Sequence, residues 1–396
     1  MKWKKLFLAF IIFTNVILNG CMGSKEMNKL AITVSIGIDK ASNGYSVTYQ
    51  ILNPKAIASN KSVNEAPFFL YTESGEDLFE IIRRITTISP RRIYHPHLRM
   101  IILSEAIAKE GMEGLLDFLF RDHEFRTDFY FAVAKGATAN EVLRSITPLE
   151  PVSGLQMYNS IQASEDAWAP TKSVKIVELV NSLVADGMNP VLSSVELVGQ
   201  KEKPNSSDAL KDSDVGKIKI SSLCIFKRDK LVGYLNEDES KGYNYVTGHV
   251  KNTIGFVHLN KKSKITFETI DAKSKITAYM KNGKPAINVE IKLVVNIAGE
   301  TGRFDVSTEA NSEKIGRLIA EKNNKLCKSA IIKAKEMGSD IFGFGEEVHR
   351  TYPKLWKKIK KDWNNEFTKV PVKITVQTRV NGLGENSKSI FGKGNK

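Results

Sequence analysis

The chain of 396 residues holds only three cysteines, Cys21, Cys224 and Cys327. So few thiols exclude a disulfide framework as the means of holding the fold. Beyond residue 20 no apolar run approaches the roughly 20 residues a helix needs to cross ~30 Å of hydrocarbon, so no transmembrane helix is expected there. Catalytic signatures are missing too. There is no G-x-S-x-G and no serine, histidine and aspartate with recognisable catalytic flanks. Gly343-Phe344-Gly345 lacks the further glycines and the Lys-Ser/Thr of a phosphate loop and reads as a tight turn. Acidic pairs such as Glu346-Glu347 are neighbours in sequence, not carboxylates set across a cleft. His95-Pro96-His97, with His123 and Glu124 further on, falls short of the three or four converging ligands of a zinc site. The expectation is a non-enzyme without catalytic residues, metal or cofactor.

What is present begins at the first residue. Met1-Lys2-Trp3-Lys4-Lys5 is a short basic region, and Leu6 to Leu18 is an apolar run broken only by Thr14 and Asn15, the order of an export signal. Leu18-Asn19-Gly20-Cys21 follows, with a branched apolar residue at −3, a small one at −1 and cysteine at +1. This resembles a bacterial lipobox. The Cys21 thiol can carry a thioether-linked diacylglycerol, and Gly20 leaves room for a peptidase. Residues 1–20 are therefore expected to be a cleaved signal peptide, with Cys21 becoming an N-palmitoyl, S-diacylglycerol cysteine. Two or three acyl chains at ~0.8 kcal/mol per buried methylene give durable, peripheral attachment, where one chain alone is marginal.

The formal net charge is +14, and loss of Lys2, Lys4 and Lys5 leaves +11. A basic balance can signal nucleic acid, but an exported, tethered body meets anionic headgroups and acidic partners first. A diffusely basic, solvated surface is the plainer alternative. No nucleic-acid partner is expected.

Periodicity gives a coarse map. Ile32, Val34, Ile36 and Ile38 alternate with polar residues, Asp39 to Gly44 supplies a turn, and Tyr45 to Leu52 returns as the second strand of a hairpin. Ser74 and Asp77 stand like a capping box before the helical stripe Leu78, Ile81, Ile82, Ile85 and Ile88, which stops before Pro90. Leu98–Leu103 and Phe129–Ala134 read as strands, Gly114–Phe120 and Ala139–Ile146 as helices. Residues 200–216 are polar and aperiodic, a linker or exposed loop. Beyond them come strands around Lys227-Arg228-Asp229-Lys230, the long alternation Ile287 to Ile297, an amphipathic helix over about Ser312 to Met337, and a last strand over Val370 to Val380. Cys224 falls in a strand and Cys327 in a helix, and buried free thiols are expected in preference to a disulfide. The predicted class is α+β and multidomain, with mixed, mostly antiparallel sheets and packed amphipathic helices. The divisions are a signal peptide (1–20), an N-terminal domain (21–199, with room for a subdivision near 150–170), a linker (200–216), a C-terminal domain (217–381) and a disordered basic tail (382–396).

Lys354, Lys357, Lys358, Lys360 and Lys361 surround Leu355, Trp356, Ile359 and Trp363. With Phe342 and Phe344 before them, Trp356, Lys357, Lys358, Lys360 and Lys361 form a candidate contact surface for a partner or the bilayer. The alternative is a solvated lysine face over buried tryptophans.

Three blocks carry a family likeness: Glu26-Met27-Asn28-Lys29-Leu30-Ala31 leading into Ile36-Gly37-Ile38-Asp39-Lys40; Phe226-Lys227-Arg228-Asp229-Lys230-Leu231-Val232-Gly233-Tyr234-Leu235-Asn236 running on to Lys241-Gly242-Tyr243; and Asp340-Ile341-Phe342-Gly343-Phe344-Gly345 continuing through Val348-His349-Arg350 and Tyr352-Pro353-Lys354 to Trp363. Behind a lipobox and in this order, they resemble the Ger(x)C family, lipoprotein C subunits of the germinant receptors of spore-forming bacteria. The resemblance implies a non-enzymatic subunit on the outer face of the spore inner membrane. There it would assemble with two membrane-embedded subunits, of A and B type, to trigger germination in response to nutrients. Its fold would mix helix and sheet in several domains. Two competitors stand beside it. A solute-binding lipoprotein of an import system should show two similar α/β lobes around a cleft. A tethered envelope hydrolase should show a nucleophile or paired acids.

Overall fold

The computed structural model describes residues 29–58, 66–147, 149–199, 217–301 and 308–382, with Trp3, Lys4 and Phe7. Cys21, the linker expected over 200–216 and the tail beyond 382 lie outside the described residues. Strands β1 (Leu30–Lys40) and β2 (Tyr45–Leu52) form the expected antiparallel hairpin, and Gly44 turns it at φ +80°. A short helix α1 (Pro54–Ala58) follows, and β3 (Phe68–Gly75) pairs with β2. Helix α2 (Leu78–Arg84) is capped by Asp77 alone, whose carboxylate accepts from the Glu80 amide at 3.0 Å. Ser74 lies inside β3, so the capping box expected from Ser74 and Asp77 is replaced by one aspartate at the N-cap.

From there the chain alternates. Strand β4 (Arg92–Tyr94) and β5 (Met100–Ser104) are followed by α3 (Glu105–Glu110) and α4 (Glu113–Arg121), then β6 (Tyr130–Ala134), α5 (Ala139–Arg144), α6 (Ser153–Ala167), α7 (Ile176–Val184) and β7 (Val191–Val198). Strands β8 (Lys217–Lys227) and β9 (Lys230–Tyr234) complete the first sheet, in the order β3-β2-β1-β5-β6-β7-β8-β9, with β4 beside the start of β1. The centre, β1-β5-β6-β7, is parallel, and both flanks are antiparallel. Helices on both faces explain the unbroken burial of Met100-Ile-Ile-Leu-Ser and Tyr130-Phe-Ala-Val-Ala, as a parallel core requires. On one face Leu78, Ile107, Leu116 and Leu179 pack on Ile36, Ile101, Phe131 and Leu192. On the other Ala139, Val142, Met157 and Ile161 pack on Met100, Ile102 and Ala132. The sheet draws its last two strands from beyond residue 216.

The second sheet, β10-β11-β12-β13, is built from β10 (Thr253–His258), β11 (Lys264–Lys281), β12 (Lys284–Thr301) and β13 (Val372–Gly382), with β13 parallel to β12. Asn282 and Gly283, at φ +50° and +74°, make the two-residue turn between the 18-residue strands β11 and β12. Ile287, Val289, Ile291, Leu293, Val295 and Ile297 all point to the core. Helix α8 (Glu237–Thr247) and the long α9 (Glu309–Glu336) pack there through Tyr245, Ile315, Ile319, Cys327, Ala330 and Ala334. Ala169, Val191, Leu223 and Ile225 of the first lobe belong to the same cluster, so the apolar core is continuous between the lobes. The class is α+β with two mixed sheets, as expected; in the first sheet the parallel and antiparallel pairings are balanced.

Cys224 and Cys327 are free and buried. Burial pushes the Cys224 thiol far up and that of Cys327 to about 12, so neither is a thiolate at neutral pH.

Candidate contact surface and the junction beneath it

Helix α9 is capped at Met337, Gly338 turns the chain at φ +60°, and the chain then dives between the lobes. Ser339 Oγ donates to the Phe226 carbonyl of β8 at 2.5 Å. Asp340 is fully buried, and its carboxylate gathers four donors. Oδ1 accepts from the amides of Phe342 (3.1 Å) and Phe344 (3.2 Å), Oδ2 from the amide of Gly345 (2.8 Å) and from Trp363 Nε1 (2.9 Å). Burial pushes this carboxyl up to about 6, with the four donors pulling the other way. With four donors converging on it, the side chain serves as an acceptor, and it fixes the turn that starts helix α10 (Phe344–Thr351).

The same turn is bolted to the first lobe. The Asn189 amide donates to the Asp340 carbonyl at 2.7 Å, Asn189 Oδ1 accepts from the Arg228 amide at 2.7 Å, and Asn189 Nδ2 reaches Asn364 Oδ1 at 3.1 Å. Gly187 donates its amide to Glu346 Oε1 at 2.8 Å. Two glycines are required at the crossing. A Cβ on Gly345 would stand 2.5 Å from both Gly187 Cα and Trp363 Nε1, and one on Gly187 would stand 2.4 Å from the Gly345 carbonyl carbon. Side chains there would force the lobes apart.

Helices α11 (Pro353–Ile359) and α12 (Trp363–Lys369) complete this corner, joined by a 3-10 turn over Lys360–Asp362. Their aromatic face turns inward. Phe342 and Phe344 stack at 5.1 Å, Phe344 meets Phe367 at 6.2 Å, and Trp356 meets Trp363 edge-on at 5.2 Å. Phe342, Phe344 and Trp356 are 5%, 0% and 1% exposed, so these three belong to the core and present no surface. The reason is amphipathicity at short range. Alternating lysines and aromatics over two helices put the rings on the sheet and the ammonium groups in water. Lys357, Lys358, Lys360 and Lys361 are all exposed, and among the described residues Lys360 alone of the four meets a carboxylate, Asp186 Oδ2 at 3.0 Å. The candidate surface thus reduces to its four lysines, over an aromatic base.

Beside Lys360 and Lys361 lies a cleft of about 980 Å³, walled by Leu116, Phe120, Val184 and Asn365. Sequence reading missed it, since its walls come from α4, α7, the β8–β9 turn and α12. It also missed Asp340 as a hub, although an aspartate two residues before an F-G-F-G turn is a legible acceptor. The histidines do not converge. His95 is buried, with neither ring nitrogen hydrogen-bonded, and burial pulls it down to about 4; His97 and His123 are exposed. Among the described residues no group of three or more His, Cys, Asp or Glu side chains is arranged to hold a metal. Cys21 is outside the described residues.

Comparison with known proteins agrees with this architecture. Residues 23–197 match the family "Spore germination protein N-terminal domain", and residues 221–384 match "Spore germination B3/ GerAC like, C-terminal". Spore germination protein KC of Bacillus subtilis (strain 168) is 26% identical over 394 residues, covering 97% of each chain. Spore germination protein B3 of the same organism is 23% identical over 385 residues, covering 95% of this chain and 97% of the other. The crystal structure of the GerBC protein superposes with a TM-score of 0.55 at 21% identity, over 87% of this chain and 96% of the other, so the fold is shared. Between them the two domain matches cover nearly all the described residues, in the order of the three sequence blocks, and the chain belongs to the Ger(x)C family of spore germination proteins.

Proposed function

We propose that this chain is the C subunit of a spore germinant receptor, held by lipid on Cys21 at the outer face of the spore inner membrane. It acts in germination as a non-enzymatic assembly subunit, joining two membrane-embedded subunits of A and B type that respond to nutrients. The observation that carries this reading is the end-to-end match to proteins named for spore germination. The lipobox supports the anchor, and no helix among the described residues is long and apolar enough to cross a membrane. The absence of a recognisable catalytic constellation in the sequence supports a role without turnover. Two lobes of unlike topology, nine strands and four, speak against an import-system solute-binding protein. The lysines at 357, 358, 360 and 361, standing on a rigid aromatic base, are the part of the candidate surface available to a partner.

The test is affinity capture of the native protein from detergent-solubilised spore membranes. Two membrane-embedded polypeptides should come with it. Recovery of the chain alone, or with the permease of an import system, would contradict the assignment.

A further inference from the structure

The anchor constrains which end of the body faces the bilayer. From Cys21 to Lys29, where the described fold begins, are eight residues, which span at most about 28 Å when fully extended. Lys29 leads straight into β1, so the membrane must lie within that reach of the end of the first sheet where β1 starts.

Strand register collects four segments at this end. Leu30 of β1 pairs with Arg92 of β4. Thr33 pairs with Ile51 at the close of β2, which places the following helix α1 here. The Arg99 amide bonds the Val34 carbonyl at 2.8 Å, and the Tyr130 amide bonds the Arg99 carbonyl at 2.9 Å, bringing in the segment before β6. Arg92 also meets Glu124 of that segment at 2.7 Å. The exposed residues on these segments include cations and apolar tips beside the polar His97, His123 and Thr127, and the part-exposed carboxylates Glu124 and Asp128 are paired with Arg92 and Arg99. Arg91 and Arg126 are exposed and have no carboxylate within ion-pair reach among the described residues; Lys55 is exposed on α1. Beside them Ile57 and Ile88 are 53% and 44% exposed. Cations beside isolated apolar tips are the composition that headgroups and the upper acyl region accommodate together.

We propose that this end of the first sheet rests on an anionic lipid surface, with Lys55, Arg91 and Arg126 against the headgroups and Ile57 and Ile88 entering the interface. The opposite end of β1, at the turn before Gly44, faces away from the membrane. The proposal rests on lipidation at Cys21 for its geometry and on the exposed cations for the nature of the occupant.

The test uses the full chain purified with its lipid and reconstituted into vesicles. Single cysteines are introduced by Ile57→Cys or, as control at the far end of the hairpin, Ser42→Cys; the buried Cys224 and Cys327 leave each new thiol the selective target for a fluorophore. Brominated lipids should quench the label at 57 and spare that at 42 in vesicles containing phosphatidylglycerol, with less quenching in pure phosphatidylcholine or high salt. Arg91→Glu with Arg126→Glu should lower the ratio of docked to undocked label at least about thirtyfold, the scale of two surface cations near an anionic leaflet. Equal quenching at the two positions, or none at 57, overturns the proposal. So does quenching that ignores both the charge reversal and lipid charge, in particular if the reversal instead abolishes capture of an acidic protein. The mass of the Cys21 peptide reads the anchor separately. A lipidated chain that floats with vesicles but fails the quenching test refutes the surface alone. An unlipidated chain that still floats through Arg91 and Arg126 refutes the anchor alone, and one that does not float refutes both.

Discussion

Replacing Asp340 by alanine should be among the most damaging single changes in this chain, because one side chain serves four buried donors. The amides of Phe342, Phe344 and Gly345 and the indole of Trp363 would lose their acceptor in a site closed to water. Each stranded donor costs about 1–3 kcal/mol, so the loss should reach at least about 4 kcal/mol, against a typical total stability of about 5–15 kcal/mol. Asp340→Asn separates charge from shape. Its oxygen can still serve Phe342 and Phe344, but its NH2 must face the Gly345 amide and Trp363 Nε1, so about half the loss is expected. Trp363→Phe withdraws one donor without stranding another polar group and should cost less than either. Urea denaturation followed by the fluorescence of buried Trp356 and Trp363 measures the first two, and circular dichroism all three. An alanine variant within about 1 kcal/mol of the parent, or an asparagine variant worse than alanine, would refute the view of Asp340 as the acceptor that locks the lobes.

Other outcomes follow from the same structure. Lys357, Lys358, Lys360 and Lys361 reversed to Glu should weaken co-purification with the membrane subunits while the urea midpoint stays put; unchanged assembly and germination would remove these lysines from the interface. Gly345→Ala should destabilise by several kcal/mol or prevent folding, since its Cβ meets backbone at 2.5 Å, and a stable variant would show that the glycine crossing can relax. His95, held at about 4 against an ordinary 6.5, contributes stability that is complete above pH 6.5 and is lost as pH falls toward 4. The parent should therefore lose up to about 3 kcal/mol more than His95→Phe between pH 7.5 and 4; parallel pH curves would show that the ring is protonated without penalty. Cys224 and Cys327 should react with a thiol reagent only as fast as the chain unfolds, and prompt labelling of either would reveal an open path to it.

How far the sequence could be read depended on whether packing followed local pattern. The β1–β2 hairpin, the alternation of Ile287 to Ile297 and the stripe of α9 each bury one face, so period and burial coincide. Strands β5 and β6 are buried on both faces, which leaves an apolar run without period, and their parallel pairing is set by the helices between them. β11 was hidden by its own polarity. One face of it carries Lys273 and Lys275 into solvent, although Asn282-Gly283 after it is the residue pair a tight hairpin favours. Helices α6 and α7 lie between two strands that pair with one another, and nothing local announces that pairing. At the candidate surface the residue types were legible and their direction was not. Whether Phe342, Phe344 and Trp356 face a partner or the core depends on Gly187, Asn189 and Arg228, more than a hundred residues upstream, which draw the turn inward.

The proposed function is one of position: a body tied to the membrane by Cys21 would meet membrane-embedded partners at high effective concentration, with no chemistry of the thiol itself needed. The direct measurement replaces residues 1–21 with a signal peptide that is cleaved without lipidation and follows the response of spores to nutrients at native expression. The account predicts that the released protein is exported and folded yet leaves spores defective in that response. A full response from the untethered protein would contradict it.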